Sequence, residues 1–220
     1  MKDIKDVAII VQARLSSQRC PRKMIRNFNG KTLMDICLSK LESSTIPNKN
    51  MWVSVYEKEL VELCRQYPVN VFHRSKRSAM SEGDKMTDIY EWWNKIPHNY
   101  IVMVNACAPF LTIKTIERFF FQYCNSAANG MFGVIEKQNY FWNDQDEFLT
   151  PLTQPIMNTK YAKPIKEAAH CLYASKTHSI GEGVWMGDFN TPKDIELFSI
   201  PEQECFDIDY EWQFKLAGGK

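Results

Sequence analysis

Four short apolar runs occur in the first half of the chain, and polar or charged residues flank each of them. Each run has four to six residues and is rich in β-branched side chains. That combination is typical of strands buried on both faces of a parallel sheet. We therefore predict strands at 7–11, 51–56, 69–72 and 100–104.

Between and after these runs, apolar residues recur at the spacing of a helix. The pattern predicts helices at 32–44, 57–67, 85–95 and 113–124. Alternating strands and helices favour parallel strands joined by right-handed crossovers. We predict an α/β fold, a doubly wound and mostly parallel sheet with helices on both faces, in a single domain spanning 1–220.

The pattern becomes less regular after residue 130. Apolar runs predict further strands at 130–135 and 168–174, and an aromatic cluster, Tyr140-Phe141-Trp142, stands in an otherwise polar stretch. We expect a small excursion from the sheet at about 136–190. Its aromatic residues suit either a subunit interface or a local core, and the sequence does not choose between the two.

Composition narrows the function classes. The chain of 220 residues is 45% apolar and carries a formal net charge of +1, so no global field recruits nucleic acid or an anionic membrane. No apolar run approaches the roughly 20 residues of a membrane span. The polar N-terminus does not look like a secretory signal, and seven scattered cysteines without C-x-x-C favour a reducing, cytoplasmic location.

Four cations fall within ten residues directly after the first strand. Because that strand is buried, the basic segment must emerge at its carboxyl end, where open α/β sheets bind ligands. Cations with hydroxyls and backbone N–H groups between them suit a phosphate-rich ligand. A solvated basic loop is the alternative. Neither G-x-x-x-x-G-K-[ST] nor G-x-G-x-x-G is present, which excludes P-loop and dinucleotide-binding proteins. The cations are Arg14, Arg19, Arg22 and Lys23.

An acidic pair stands near the end of the chain. Phe206 and Ile208 alternate with Asp207 and Asp209, so a strand would place both carboxylates on one face. A predicted helix at 210–217 follows and puts the second carboxylate at the carboxyl edge of the sheet. Paired carboxylates, completed by phosphate oxygens and water, commonly hold Mg²⁺. The alternative is a helix cap with an exposed neighbour.

The basic loop resembles the opening motif A-R-x-x-S-x-R-x-P-x-K…x-G-K-P-L of the sugar-acid cytidylyltransferases, which make CMP-sialic acid, CMP-Kdo and related activated acids. It is also similar to the spore-coat polysaccharide branch. The resemblance implies a nucleotide-diphospho-sugar transferase-like fold, transfer of CMP from CTP to a sugar acid, Mg²⁺ as cofactor and a homodimer. The matching residues are Arg14, Ser17, Arg19, Pro21, Lys23, Gly30, Lys31 and Leu33, and Asp207-Ile208-Asp209 matches the closing D-I-D.

The resemblance also implies roles for individual residues. Arg14, Lys23 and Asp209 would be catalytic, and Asp207 and Asp209 would hold the metal. Asn105 occupies the position of a glutamine that touches the sugar. The nucleotide-binding set would be Ala13, Arg14, Ser17, Arg19, Lys23, Arg74 and Ser81.

Several positions depart from the family pattern. Met24 replaces an asparagine, Leu15-Ser16 replaces Gly-Gly, and Cys107 replaces an acidic residue of the Kdo and spore-coat branches, which favours the sialate-type branch. A spore-coat-like transferase of unknown acceptor and a binding protein without catalysis are the alternatives.

The substrate half of the chain also lacks an expected cation. No arginine follows Arg118, although sialate enzymes use one for the sugar carboxylate. We expect lysines to replace it and place the acceptor near 154–166, with solvated loop lysines as the alternative. The predicted substrate residues there are Gln154, Lys160, Lys163 and Lys166.

Overall fold

The computed structural model describes residues 1–80, 85–154 and 157–219. The described residues form one seven-stranded sheet with the order β3-β2-β1-β4-β6-β5-β7. All strands run parallel except β6, which is antiparallel to β4 and β5. The strands are β1 (Val7–Gln12), β2 (Met51–Val55), β3 (Asn70–His73), β4 (Tyr100–Val104), β5 (Gly130–Lys137), β6 (Ile165–Lys176) and β7 (Ile195–Ser199).

This arrangement confirms the predicted α/β fold and mostly parallel sheet. The six predicted sheet strands all form, whereas β7 was not predicted. β7 is only five residues long, includes a charged residue and has only Phe198 buried. The hydrophobic pattern therefore did not reveal it.

Seven α-helices lie in the described ranges. Thr32 begins the first with a capping box, because its hydroxyl accepts the Asp35 N–H at 3.0 Å and Asp35 accepts the Thr32 N–H in return. The helices are α1 (Leu33–Glu42), α2 (Lys58–Cys64), α3 (Lys76–Ala79), α4 (Met86–Ile89), α5 (Ile113–Asn125), α6 (Thr177–Gly181) and α7 (Glu211–Leu216).

The predicted helix at 85–95 is wrong in its length, because α4 ends at Ile89. The Ile89 carbonyl accepts hydrogen bonds from Gln12 Nε2 at 3.3 Å and Ser78 Oγ at 3.1 Å. If the helix continued, the Trp93 N–H would donate to this carbonyl. Trp93 instead donates its N–H to the Tyr90 carbonyl. Tertiary contacts thus override the helical pattern.

The core lies on both faces of the sheet. Val7, Ile9 and Val11 of β1 pack on one face, and Ala8 and Ile10 pack on the other. All five are fully buried, as the apolar run predicted. Burial of each larger side chain contributes about 1.5–3 kcal/mol to the stability of the fold. β1 therefore holds the start of the following loop in a fixed position.

The predicted strand at the acidic pair is wrong. Residues 205–209 belong to no strand, and the Ile208 N–H donates to the Cys107 carbonyl at 2.9 Å. Ile208 is fully buried and anchors the segment to the residues that follow β4. Burial of Ile208 and its backbone hydrogen bond to Cys107 therefore help to position the two carboxylates.

The described residues between β5 and β6 leave the sheet, whereas β6 itself lies inside it. Tyr140, Trp142 and Phe148 contact one another there, with ring centroids 5.4–6.3 Å apart. Trp142 is 53% exposed and Phe148 42%, so this cluster is only half covered within one chain. No helix of the described ranges is long and apolar enough to cross a membrane.

Candidate active site

A cleft with three cavities follows the carboxyl ends of the central strands. Gln12, the last residue of β1, lines all three. The loop cavity, about 450 Å³, lies against the basic segment after β1 and includes Arg14, Arg19 and Lys23. The acidic cavity, about 340 Å³, is lined by residues that include Asp207 and Asp209. The side cavity, about 240 Å³, is lined by residues that include Arg14 and Arg74.

Asp209 lies between the loop cavity and the acidic cavity and is bound by two cations. Its Oδ1 is 3.3 Å from Lys23 Nζ, and its Oδ2 is 2.9 Å from Arg19 Nη2. Lys23 also donates to the Ile208 carbonyl, and the Arg19 guanidinium lies 4.9 Å from the Tyr210 ring centroid. The two predicted phosphate-binding cations therefore share one carboxylate.

Lys23 is only 8% exposed, yet it stays charged. Burial by itself would lower its pKa, but Cys107, Asp209 and Asp207 outweigh burial and raise the pKa of the Lys23 ammonium. A lysine in this position supplies a permanent charge rather than a proton that can be transferred at neutral pH.

The loop is shaped by contacts with α2 and α3. The Leu15 N–H donates to Glu57 Oε1 at 2.8 Å, and Arg14 Nη1 donates to the Ala79 carbonyl at 3.3 Å. Ser17 Oγ accepts the Cys20 N–H at 3.4 Å. The structure places Ala13, Arg14, Ser17, Arg19 and Lys23 on the loop cavity, whereas Arg22 turns away and pairs with Glu59 at 3.2 Å.

Arg74 joins the site from the end of β3. It is 5% exposed, and its Nη2 donates to the Ala13 carbonyl at 2.5 Å. Burial lowers the pKa of Arg74 to about 10, which leaves it charged at neutral pH. Arg74 thus ties the first residue of the loop to β3. Ser81, also predicted to bind nucleotide, lies outside the described residues.

The acidic pair fits a divalent cation. Burial and the neighbouring Asp209 raise the pKa of Asp207, and its Oδ1 is buried without a hydrogen-bond partner. A buried carboxylate oxygen without a partner is costly unless a ligand completes it. No cluster of three or more ligand-type side chains occurs in the described ranges, so other ligands would come from phosphate and water, as Mg²⁺ accepts.

A comparison with protein families matches most of the chain. A family model described as cytidylyltransferase matches residues 8–166, which include the basic segment after β1 and most of the sheet.

The chain belongs to the cytidylyltransferase family.

Solved structures of low sequence identity share the fold. A CMP:2-keto-3-deoxy-manno-octonic acid synthetase complexed with CTP is 12% identical, with a TM-score of 0.69 over 96% of this chain and 95% of that one. A 4-diphosphocytidyl-2C-methyl-D-erythritol synthase from Anaerococcus prevotii is 10% identical, with a TM-score of 0.69 over 98% and 96%. A cytidylyltransferase from Leptospira borgpetersenii is 14% identical, with a TM-score of 0.59 over 93% and 81%.

Two of the departures from the family pattern contact each other. Met24 Sδ and Cys107 Sγ are 3.8 Å apart, and both residues line the loop cavity. Burial raises the pKa of Cys107 to about 11, so it stays a neutral thiol. In this cytidylyltransferase Met24 and Cys107 pack against each other on the wall of the loop cavity.

Asn105 lines the acidic cavity, and each end of its amide makes one hydrogen bond to a backbone group. Its Oδ1 accepts the Cys107 N–H at 2.9 Å, and its Nδ2 donates to the His170 carbonyl at 2.9 Å. The predicted sugar contact of Asn105 stays a prediction. The observed contacts show that it holds β4 and β6 together beside the acidic pair.

The predicted substrate residues of the excursion lie apart from the cleft. Lys160, Lys163 and Lys166, here called the substrate lysines, are exposed, as is Gln154. In the described part of the chain none of the four lines the three cavities. Lys160 Nζ instead lies 4.7 Å from the Tyr161 ring centroid.

Gln12, His170 and Tyr173 line the cleft but were not among the predicted site residues. Gln12 Oε1 accepts the Trp92 Nε1–H at 2.9 Å, and the polar end of an apolar strand was a usable signal for it. His170 and Tyr173 line the acidic cavity beside the carboxylates. No periodicity marks them, because the strand that carries them is irregular at this point.

Proposed function

We propose that this protein transfers CMP from CTP to a sugar acid, such as sialic acid or another nonulosonate, and releases pyrophosphate. The observation that carries the proposal is the position of Asp209 between two cavities, bound to Lys23 and Arg19 of the loop. Membership of the cytidylyltransferase family supports CTP as the donor. A similarly folded synthetase was solved with CTP bound.

The loop cavity suits the triphosphate. Arg14, Arg19 and Lys23 line it, and charge-assisted hydrogen bonds to phosphate are among the strong ones. The acidic cavity would then receive the acceptor. Displacement at the α-phosphorus requires the acceptor oxygen to be in line with the leaving pyrophosphate, so positioning and charge stabilisation supply most of the catalysis.

Asp207 and Asp209 would hold Mg²⁺. The metal would neutralise phosphate charge and polarise the α-phosphate oxygens. Two cations of this chain also act before the nucleotide binds. Lys23 and Arg19 neutralise Asp209, which would otherwise repel the triphosphate, and both cations are placed to contact phosphate once the nucleotide arrives.

The excursion supports a homodimer in which the substrate lysines serve the partner's acidic cavity. The same segment exposes large apolar side chains, which is unusual for a surface that stays in water. The exposed fractions are 53% for Trp142, 42% for Phe148, 52% for Leu149 and 68% for Met157. A subunit interface would cover them and bring the lysines to a cleft that they do not line in their own chain.

A second candidate function is supported by the contact between Met24 and Cys107. The two sulfur atoms, 3.8 Å apart, offer the nucleotide only weak hydrogen bonds there. This suits a relative with another donor or acceptor, such as a spore-coat-like transferase, or a binding protein without catalysis.

Pyrophosphate release tests the two candidates. CTP, UTP and ATP are each incubated with Mg²⁺ and a panel of nonulosonates, 2-keto-3-deoxy-manno-octonic acid and neutral sugars. Release with CTP and one of the acids, abolished by EDTA, supports the proposal. Release that ignores the acid, or that prefers another nucleotide, favours the second candidate.

A further inference from the structure

His170 has a backbone conformation that is uncommon for residues other than glycine. Its φ is 54°. Among the described non-glycine residues with positive φ, it is the one inside a strand, since the others all lie outside the strands. Such conformations persist where the surroundings impose them, and they cluster at ligand sites.

The surroundings of His170 do impose this conformation. Strand pairing moves from Val134 opposite Ala168 to Phe132 opposite Tyr173, so β6 carries a bulge here. Asn105 fixes the bulge twice, because its Nδ2 donates to the His170 carbonyl at 2.9 Å and its N–H donates to the Cys171 carbonyl at 3.0 Å. Bulges redirect side chains, and this one directs an exposed imidazole to the acidic cavity.

Tyr173 sets the orientation of the imidazole. Its hydroxyl is 2.9 Å from His170 Nδ1. Burial raises the pKa of Tyr173, so the hydroxyl keeps its proton. When that hydroxyl donates to Nδ1, the ring proton is on Nε2. No hydrogen bond to Nε2 occurs within the described residues, which leaves an oriented donor beside Asp207 and Asp209.

We propose that His170 is an acceptor-recognition residue whose Nε2–H donates to an oxygen of a polyhydroxylated carboxylic acid in the acidic cavity. This deepens the proposed function and rests on it. A donor fixed at both the backbone and the ring selects one acceptor geometry. It thereby decides which hydroxyl meets the α-phosphate held beside Asp209.

Replacing His170 by glycine separates recognition from folding. Glycine adopts positive φ without strain, so His170→Gly is expected to keep or raise the melting temperature. The KM of the acceptor is expected to rise about 10-fold or more, as for the loss of one oriented hydrogen bond, and the KM of CTP to stay within about 2-fold. Lys193→Gly is the matched control, because Lys193 has φ 68° in a turn outside the cleft and its replacement should leave both KM values unchanged.

His170→Asn completes the series. Asparagine tolerates positive φ and keeps an amide donor, so its acceptor KM should lie between those of wild type and His170→Gly. If His170→Gly does not fold, the asparagine variant decides in its place, and an unchanged acceptor KM overturns the inference. An unchanged acceptor KM in folded His170→Gly, with an active wild type, also overturns it. A wild type that transfers CMP to no acid overturns the proposed function and this inference with it.

Discussion

Replacing Asp209 by asparagine should separate catalysis from stability. The change keeps the volume, and the backbone N–H of residue 209 can still donate to Gln213 Oε1, as it does at 2.7 Å. It removes a carboxylate from the proposed metal pair and from its contacts with Lys23 and Arg19. The expected loss of catalysis is much larger than the expected loss of stability.

The stability cost should be small. Lys23 loses one charge-assisted contact at 3.3 Å and keeps the Ile208 carbonyl, which corresponds to about 1–2 kcal/mol. The Arg19 contact is exposed to solvent and adds little. For a chain of this length the melting temperature should fall by roughly 2–8 °C. Loss of charge stabilisation in the transition state should lower kcat on the order of 100-fold or more.

Without metal, Asp209→Asn should strengthen CTP binding, even though it lowers kcat. Asp209 competes with phosphate for Lys23 and Arg19, so Asp209→Asn should bind CTP more tightly than wild type in EDTA, as measured by titration calorimetry. Glu59→Gln is the matched control, because it breaks an exposed ion pair of the same loop with Arg22, outside the cavities. Weaker metal-free CTP binding by Asp209→Asn, or a kcat within about 10-fold of wild type, would refute the reasoning.

Four further predictions test the loop, the excursion and the C-terminal helix. Arg14→Ala should weaken CTP binding about 10-fold in calorimetry and leave the protein folded, although it removes the hydrogen bond to the Ala79 carbonyl, and unchanged affinity would remove Arg14 from the site. Replacing the substrate lysines by glutamine should raise the acceptor's KM and reduce its sensitivity to salt, whereas unchanged kinetics would place the acid elsewhere. Trp142→Glu should convert a dimer to a monomer in sedimentation equilibrium, while Trp212→Glu, 61% exposed outside the excursion, should not; a wild-type monomer contradicts the dimer. Hydrogen bonds from Arg26 lower the pKa of Glu211 to about 2, so its contribution to stability is present above pH 4.5 and is lost as pH falls through 2. Glu211→Gln should therefore melt below wild type at pH 7, and the difference should close between those pH values; a constant difference would contradict the pairing.

Much of the fold follows from local pattern. The run 7–11 is apolar because both faces of β1 are covered, and a basic loop after such a strand has to leave at the sheet edge. The loop residues that line the cleft were predictable for that reason. The pairing of Asp209 with Lys23 and Arg19 was not, because it joins residues about 190 positions apart.

The failures of pattern have physical causes. The helix over 85–95 stops early because distant side chains bind the Ile89 carbonyl. The acidic pair is positioned by burial of Ile208 rather than by a strand. The orientation of His170 depends on a bulge and on Asn105, which no local periodicity reveals. Lys23 also differs from the open-edge cation that the sequence suggested, because it is buried, and its removal should cost stability as well as CTP affinity.

The fate of the α-phosphate tests the central claim most directly. The enzyme is incubated with Mg²⁺, CTP labelled at the α-phosphorus and each sugar acid in turn, and the labelled products are separated and weighed by mass spectrometry. The proposed function predicts that the label moves into a CMP-sugar in equal amount to the pyrophosphate released, with one acid strongly preferred. Label that stays in CTP with every acid, or that leaves as free CMP, would contradict it.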